Sequence, residues 1–147
     1  CIGRHYARSC IYQEAEACKQ RGLDSVERID RQMARYRQEG FPDWYGLNEA
    51  VVILRRHSEA VRAFNDLWWQ EICQGSRRDQ LSFNYVHWKT GLPIAEFPLP
   101  IQDSNGLFFK AAHERRRPLR YSARPALRAL IRQMDGVYFG AASPDRW

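Results

Sequence analysis

Val51-Val52-Ile53-Leu54 runs directly into Arg55-Arg56-His57. Four consecutive apolar residues, three of them β-branched, have the length and composition of a buried strand in an α/β sheet. The abrupt change to charge marks the end of that strand, and open α/β folds place ligands beyond such ends. The surrounding segments read mostly as helices, so this one stretch selects α/β over all-α.

Outward from it, Ser9 to Arg21 predicts a helix with Ile11, Ala15 and Cys18 on one face, closed by Gly22. Asp24 and Glu27 have capping-box spacing for a second helix that carries Val26, Ile29, Met33 and Tyr36 inward and ends at Gly40. A loop rich in Pro, Gly and aromatic residues, Phe41 to Asn48, leads into the strand. Beyond it, Ser58 caps a third helix to about Gln74, with Val61, Phe64, Trp68 and Ile72 inward and Gly75 as its stop. Ser76 and Asp79 suggest a second capping box, for a fourth helix to about Lys89 that Gly91 ends. Pro93 to Phe97 reads as a short edge strand, and Leu107-Phe108-Phe109 as a strand in an otherwise irregular stretch. Pro125 opens a last helix to about Met134, with Arg124, Arg128 and Arg132 sharing a face, followed by a loose tail.

At 147 residues and 17.3 kDa the chain has the length of one domain, and 44% hydrophobic with 13% aromatic residues is enough for a core. No apolar run approaches the roughly 18 residues of a membrane helix. The chain begins at Cys1 with no leader before it, which suggests a processed piece or fragment whose targeting information is out of view. The net charge is +6, and 20 of the 23 basic residues are Arg, which favours fork-shaped contacts to phosphate or carboxylate. Cys1, Cys10, Cys18 and Cys73 show neither a C-x-x-C pair nor zinc-ligand spacing. Cys10 and Cys18 on one helix would lie about 12 Å apart, so free thiols and a reducing compartment are expected.

Three polar patches are candidates for chemistry. Ser76-Arg77-Arg78-Asp79-Gln80 is either a plain helix start or a cradle of carboxylate, amide and guanidinium groups near Trp68, Trp69, Tyr85 and Trp88, as polar sugars require. His5, Arg8, Tyr12 and Glu14 surround a helix N-terminus, either as a surface cap or as an anion site. His113 with Arg115, Arg116 and Arg117 is either a solvated run or a metal ligand beside guanidinium groups that neutralise a diphosphate. His57 and His87 lack a companion carboxylate and read as structural. There is no G-x-S-x-G, P-loop, G-x-G-x-x-G, H-E-x-x-H or D-x-D.

H-Y-A-R-S-C-I-Y-Q-E-A (5–15), V-I-L-R-R-H (52–57), L-W-W-Q-E-I (67–72) and S-R-R-D-Q-L-S-F-N-Y-V (76–86) occur in that order. This series resembles the glycosyltransferase-like domain family of plant turgor-regulation-defect and seed-mucilage-related proteins and their bacterial relatives. The resemblance covers residues 3–118 and leaves 119–147 as a C-terminal helix and tail. It implies an α/β, helix-rich chain with few strands, the C-terminal, acceptor-side part of a type-A glycosyltransferase-like fold. The nucleotide-binding half, with the acidic motif that usually holds the metal, would precede it. The family pattern singles out His5, Arg8, Tyr12, Glu14, Arg55, His57, Trp68, Glu71, Arg78, Asp79, Gln80 and His113.

The function so implied is transfer of a sugar from a nucleotide-sugar donor to a saccharide or related acceptor, by the intact protein rather than by this piece alone. Arg78, Asp79 and Gln80 are the expected catalytic group: Asp79 with Gln80 orients the acceptor hydroxyl, and Asp79 acts as general base if the reaction inverts. His5, Arg8, Tyr12, Glu14, Arg55, His57, Trp68 and Glu71 are expected to bind substrate. His113 is the expected ligand of the Mn or Mg ion that the resemblance implies, and Arg115, Arg116 and Arg117 are expected diphosphate contacts on chemical grounds. No nucleic-acid partner is expected. A bacterial-type relative implies the cytoplasm and a plant-type one the Golgi lumen. Two rivals stand beside this reading: a ceramidase-like amide hydrolase, and a non-enzymatic module using Arg124, Arg128 and Arg132 against nucleic acid or another polyanion.

Overall fold

A computed structural model describes residues 1–99 together with Ile101 and Phe108. The chain divides into Cys1–Pro100 and Ile101–Trp147, and the first unit runs β1 (Ile2–Arg4), α1 (Ile11–Gln20), α2 (Val26–Gln38), β2 (Asn48–Ile53), α3 (Glu59–Gln74) and α4 (Gln80–Thr90). Among the described residues this is a helix-rich α/β arrangement of four helices and a two-stranded sheet. Leu107 and Phe109 of the strand expected at 107–109, and the helix expected from Pro125, lie outside the described residues. No helix of the described residues is long and apolar enough to cross a membrane.

The expected strand exists but is not a buried one. β2 begins at Asn48, pairs antiparallel with β1, and leaves Val51 71% exposed while Asn48 and Glu49 are buried. β-branched side chains favour extended backbone, but a two-stranded ribbon offers nothing to cover its second face, so the apolar run is half solvated. The register, Ile2 with Ile53 but Gly3 with Glu49, contains a bulge between Ile2 and Gly3. On the other side of β1, the expected edge strand at 93–97 contributes one parallel bridge, Ile2 to Glu96. There the Ile2 N–H donates to the Ala95 carbonyl and the Phe97 N–H to the Ile2 carbonyl, each at 3.0 Å.

α1 buries Ile11, Ala15 and Cys18 as its periodicity predicts, and Gly22 follows it at φ +60°. α2 buries Ile29, Met33 and Tyr36, but Val26 is exposed on its first turn. Neither capping box forms as expected. Ser25, not Asp24, caps α2 by accepting from the Arg28 N–H at 3.3 Å. The Asp24 carboxylate reaches across to the α3–α4 turn, accepting from Ser76 Oγ at 2.7 Å and the Arg77 N–H at 2.8 Å. Ser76 Oγ also accepts from the Arg78 N–H at 3.1 Å, and Asp79, the N-cap of α4, makes no side-chain cap. Each pattern lies within a few residues of a helix start, but the N-caps are Ser25 and Asp79, because the Asp24 carboxylate takes the Ser76 and Arg77 donors instead of capping α2.

α4 is the centre of the unit. Leu81 through Val86 are all buried, which requires cover on every side. Tyr85 stacks on Tyr36 of α2 with ring centroids 3.7 Å apart and 11° between planes, while Phe41 meets both rings edge-on. Phe83 packs against Phe64 and Trp68 of α3. Asn84 ties α4 to β2, accepting from the Asn48 N–H at 2.9 Å and donating to the Asn48 side-chain oxygen at 2.8 Å.

α2 also grips α3 and the turn after it. Glu71, 6% exposed, accepts from both Arg35 nitrogens, at 3.2 and 2.5 Å, and from the Tyr36 hydroxyl at 2.7 Å. Gln32 donates to that hydroxyl at 2.8 Å and accepts from the Ser76 N–H at 2.9 Å. Gly75 passes so close that a Cβ there would stand 2.5 Å from the Gln32 amide. Gly75→Ala should therefore destabilise the fold by about 1–3 kcal/mol, since the amide must leave two buried bonds or the turn must shift. A urea midpoint equal to wild type would refute this clamp.

A second prediction concerns acid. Lys89 and the Tyr85 hydroxyl hold the Glu39 carboxyl down from its ordinary 4.5 to about 2. The folded state thus prefers the charged form, so this network stabilises the protein above about pH 4.5 and loses that contribution as pH falls toward 2. Thermal melts should show a wild-type advantage over Glu39→Gln at pH 7 that shrinks steadily below pH 4.5. An advantage independent of pH would contradict it.

Candidate functional site

Two distant pieces of sequence meet at α1. His5 and Arg8 lie in the loop 5–10 between β1 and α1, and Arg78, Asp79 and Gln80 form the turn into α4. Glu14 and Cys18 stand four residues apart on the same face of α1 and join them. Glu14 is buried and paired with the Arg8 Nε. Its second oxygen lies 3.6 Å from Cys18 Sγ. The Arg78 guanidinium also lies near enough to act on that thiol, and Arg78 Nη2 reaches the Gln80 side-chain oxygen at 3.5 Å.

His5 is fixed by its own loop. Its Nδ1 accepts from the Ala7 N–H at 3.2 Å and the Arg8 N–H at 3.1 Å, which assigns the ring proton to Nε2, 3.6 Å from Glu14. Burial pushes the imidazole pKa below its ordinary value, Glu14 opposes this in part, and the charges of Arg8 and Arg21 add to it. His5 is therefore neutral near pH 7. Burial, with the Glu14 carboxylate, pushes the Cys18 thiol up, against the pull of Arg78. Cys18 is thus a protonated, buried thiol rather than a nucleophile. Cys10, Cys18 and Cys73 carry free thiols.

Arg78 retains one unmet demand. Its Nε is buried and has no hydrogen-bond partner. A buried guanidinium donor without a partner is costly, so it marks a place where a ligand or solvent oxygen completes the bonding.

The remaining expected residues are placed differently. Trp68 is buried and its indole N–H donates to Ser82 Oγ at 3.1 Å and the Asp79 carbonyl at 3.3 Å, so it sets the turn from behind. Glu71 spends both oxygens on Arg35 and Tyr36, as described above. Tyr12 donates to the Phe41 carbonyl at 3.0 Å, and the Arg37 guanidinium lies 3.9 Å over its ring. The His5 N–H bonds the Leu47 carbonyl before β2, whereas the Leu54 N–H bonds the Cys1 carbonyl after it. Arg55 and His57 therefore lie beyond the opposite end of β2 from His5; both are exposed, and Arg55 bonds Asn65 of α3. His113, Arg115, Arg116 and Arg117 lie outside the described residues. Among the described residues, no group of three or more His, Cys, Asp or Glu side chains is placed to hold a metal ion.

Sequence reasoning assigned Cys18 to the core and missed it as the link between Glu14 and Arg78. The four-residue spacing of Glu14 and Cys18 was the available signal. It also passed over Arg37, whose position beside Asp43 and over Tyr12 depends on how α2 meets the following loop.

Comparison with known proteins bears on all of this. No solved structure matches the chain. Over 93 residues, 58% of its length, it is 37% identical to a protein of Arabidopsis thaliana described as "Probable hexosyltransferase MUCI70", and it spans only 16% of that relative. The family described as "TOD1/MUCI70, glycosyltransferase-like domain" matches residues 1–103, which hold the whole of the cluster around Glu14 and the turn into α4. The chain belongs to the TOD1/MUCI70 glycosyltransferase-like family.

Proposed function

We propose that the intact protein transfers a sugar, in the manner of a hexosyltransferase, from a nucleotide-sugar donor to a saccharide or related acceptor. In this reading the chain forms the acceptor-side part of a type-A glycosyltransferase fold. The observation that carries it is the meeting of His5, Arg8 and Glu14 with Arg78 and Gln80 around Cys18.

The chemistry follows from charge. Breaking the bond between sugar and diphosphate leaves negative charge on the departing group, and fixed cations lower that barrier. Arg8, Arg21 and Arg78 act on this region against one buried carboxylate, Glu14. Arg8 is held by Glu14, which leaves Arg78 Nε as the donor still to be satisfied. The oxygen it awaits, in this reading, belongs to the diphosphate. Asp79, at the first turn of α4 and next to Arg78, takes the acceptor hydroxyl with Gln80 and removes its proton if the reaction inverts. Trp68 holds the Asp79 carbonyl and so keeps this pair in place.

A divalent ion, Mn or Mg, would place Lewis-acid charge on the diphosphate. Among the described residues no cluster of three or more His, Cys, Asp or Glu side chains is placed to hold it; no step is assigned to it, and His113 is kept as its proposed ligand with Arg115, Arg116 and Arg117 as further diphosphate contacts.

In the intact protein, Asp79→Asn should lower kcat/KM for transfer by about 10²–10⁴-fold while donor affinity stays within roughly twofold of wild type. Radiolabelled sugar transfer and calorimetric titration with the nucleoside diphosphate measure the two quantities. Full activity in the variant would remove Asp79 from the mechanism. Metal-dependent nucleotide affinity unchanged by His113→Ala would remove that residue as a ligand.

A further inference from the structure

α1 has a second face. Glu14 and Cys18 point toward the turn before α4, and Tyr12, Gln13 and Glu16, on the opposite side by the 100° step of a helix, line an open cleft. Asp30, Met33, Ala34 and Arg37 of α2 form its other wall, and Asp43 and Trp44 of the following loop close one end. Its volume is about 500 Å³, the size of a small-molecule site.

Trp44 is the unusual member. It is 63% exposed and adopts φ +62°, the only positive φ outside glycine among the described residues. A bulky side chain in the left-handed region is strained and persists only where the surroundings over-determine it. Here the loop is pinned on both sides: the Phe41 N–H bonds the Tyr36 carbonyl at 2.9 Å, and the Gly46 N–H bonds the Ser9 carbonyl at 3.2 Å. Asp43, next to Trp44, meets Arg37 at 3.6 Å. The strain turns a large aromatic face outward at the mouth of a cleft, where burial alone would have drawn it in.

The polar groups of the cleft narrow the ligand class. Lys19 meets Glu16 at 2.6 Å and Asp30 at 2.7 Å, and Arg37 meets Asp43. Carboxylates outnumber cations here, so a diphosphate would be repelled, in contrast to the Arg-rich region around Glu14. The ions that are present already have partners, so the cleft asks its ligand for hydrogen bonds rather than for charge. An aromatic face beside paired carboxylates, a guanidinium and an amide suits a neutral polyhydroxyl ring, whose apolar C–H face stacks and whose hydroxyls both donate and accept.

We propose that the α1–α2 cleft is a binding subsite for a neutral saccharide, stacked on Trp44 and hydrogen-bonded by Arg37, Asp43 and Gln13, separate from the reacting groups at Arg78 and Asp79. The subsite holds a sugar chain at a distance from the chemistry and stands whether or not Asp79 is the base.

The test is titration of the intact protein with cellohexaose, xylohexaose and galactohexaose, and with UDP as the anionic comparator. The Trp44 indole N–H resonance, assigned by its loss in Trp44→Phe, is followed alongside calorimetry. At least one neutral hexasaccharide should shift that resonance. Trp44→Ala should weaken its binding tenfold or more and Trp44→Phe by less, and neither should change the affinity for UDP. UDP should neither shift the resonance nor displace the sugar. Trp44→Gly, which relieves the backbone strain, should keep the wild-type melting temperature or better and still lose the sugar. Failure of all three saccharides to bind, binding indifferent to Trp44→Ala, or displacement by UDP would each overturn the proposal. Loss of sugar binding in Trp44→Ala with UDP affinity unchanged separates this subsite from the catalytic reading.

Discussion

The buried Glu71 carboxylate is the constraint on which the rest depends. It sits on α3 and accepts from Arg35 and Tyr36 of α2, so removing it from water is offset only while those two helices keep their spacing. Tyr36 then stacks on Tyr85, which fixes α4 against the pair. One turn earlier on α2, Gln32 holds the Ser76 N–H, and Asp24 holds the Ser76 hydroxyl and the Arg77 N–H. The turn carrying Arg78 and Asp79 is thus bolted to α2 at several points. The side of this turn that faces α1 is where Arg78 meets Cys18. A rigid backbone there lets a guanidinium with an unmatched Nε persist, because no easy movement of the chain can relieve it.

Much of this was legible in the sequence, for physical reasons that differ between elements. Helix positions followed from periodicity and stops: Gly22, Gly40 and Gly91 end their helices in left-handed conformations that disfavour other residues. Ser58 caps α3 with its own hydroxyl, a purely local act. The two misread caps show the limit. Asp24 and Ser76 are 52 positions apart, and no local pattern tells that one will bond the other rather than its own helix. Val51 shows it again, since four apolar residues specify extended backbone but not how many layers will cover it.

The candidate site divides in the same way. The ordered residue blocks that carry the family resemblance brought His5, Arg8, Glu14, Arg78 and Gln80 forward, and the fold gathers them. The same blocks named Trp68 and Glu71, whose partners are Ser82, the Asp79 backbone, Arg35 and Tyr36; these contacts hold the scaffold together. A residue pattern records both demands without separating them. Only the partners of each side chain do so. Trp44 lay in plain view in an aromatic loop, yet its left-handed backbone depends on how that loop is pinned to α1 and α2. The two faces of α1 emerge as electrically distinct, cationic toward α4 and mildly acidic toward α2, and such a contrast suits a donor and a saccharide that must be held without competing.

A crystal structure of the intact protein with a nucleoside diphosphate bound shows whether Arg78 is the donor that receives it. A phosphate oxygen should lie within hydrogen-bond distance of Arg78 Nε, beside an Arg8–Glu14 pair left unchanged. A diphosphate held elsewhere, with Arg78 still against Cys18 and its Nε bonded only to water, would contradict it.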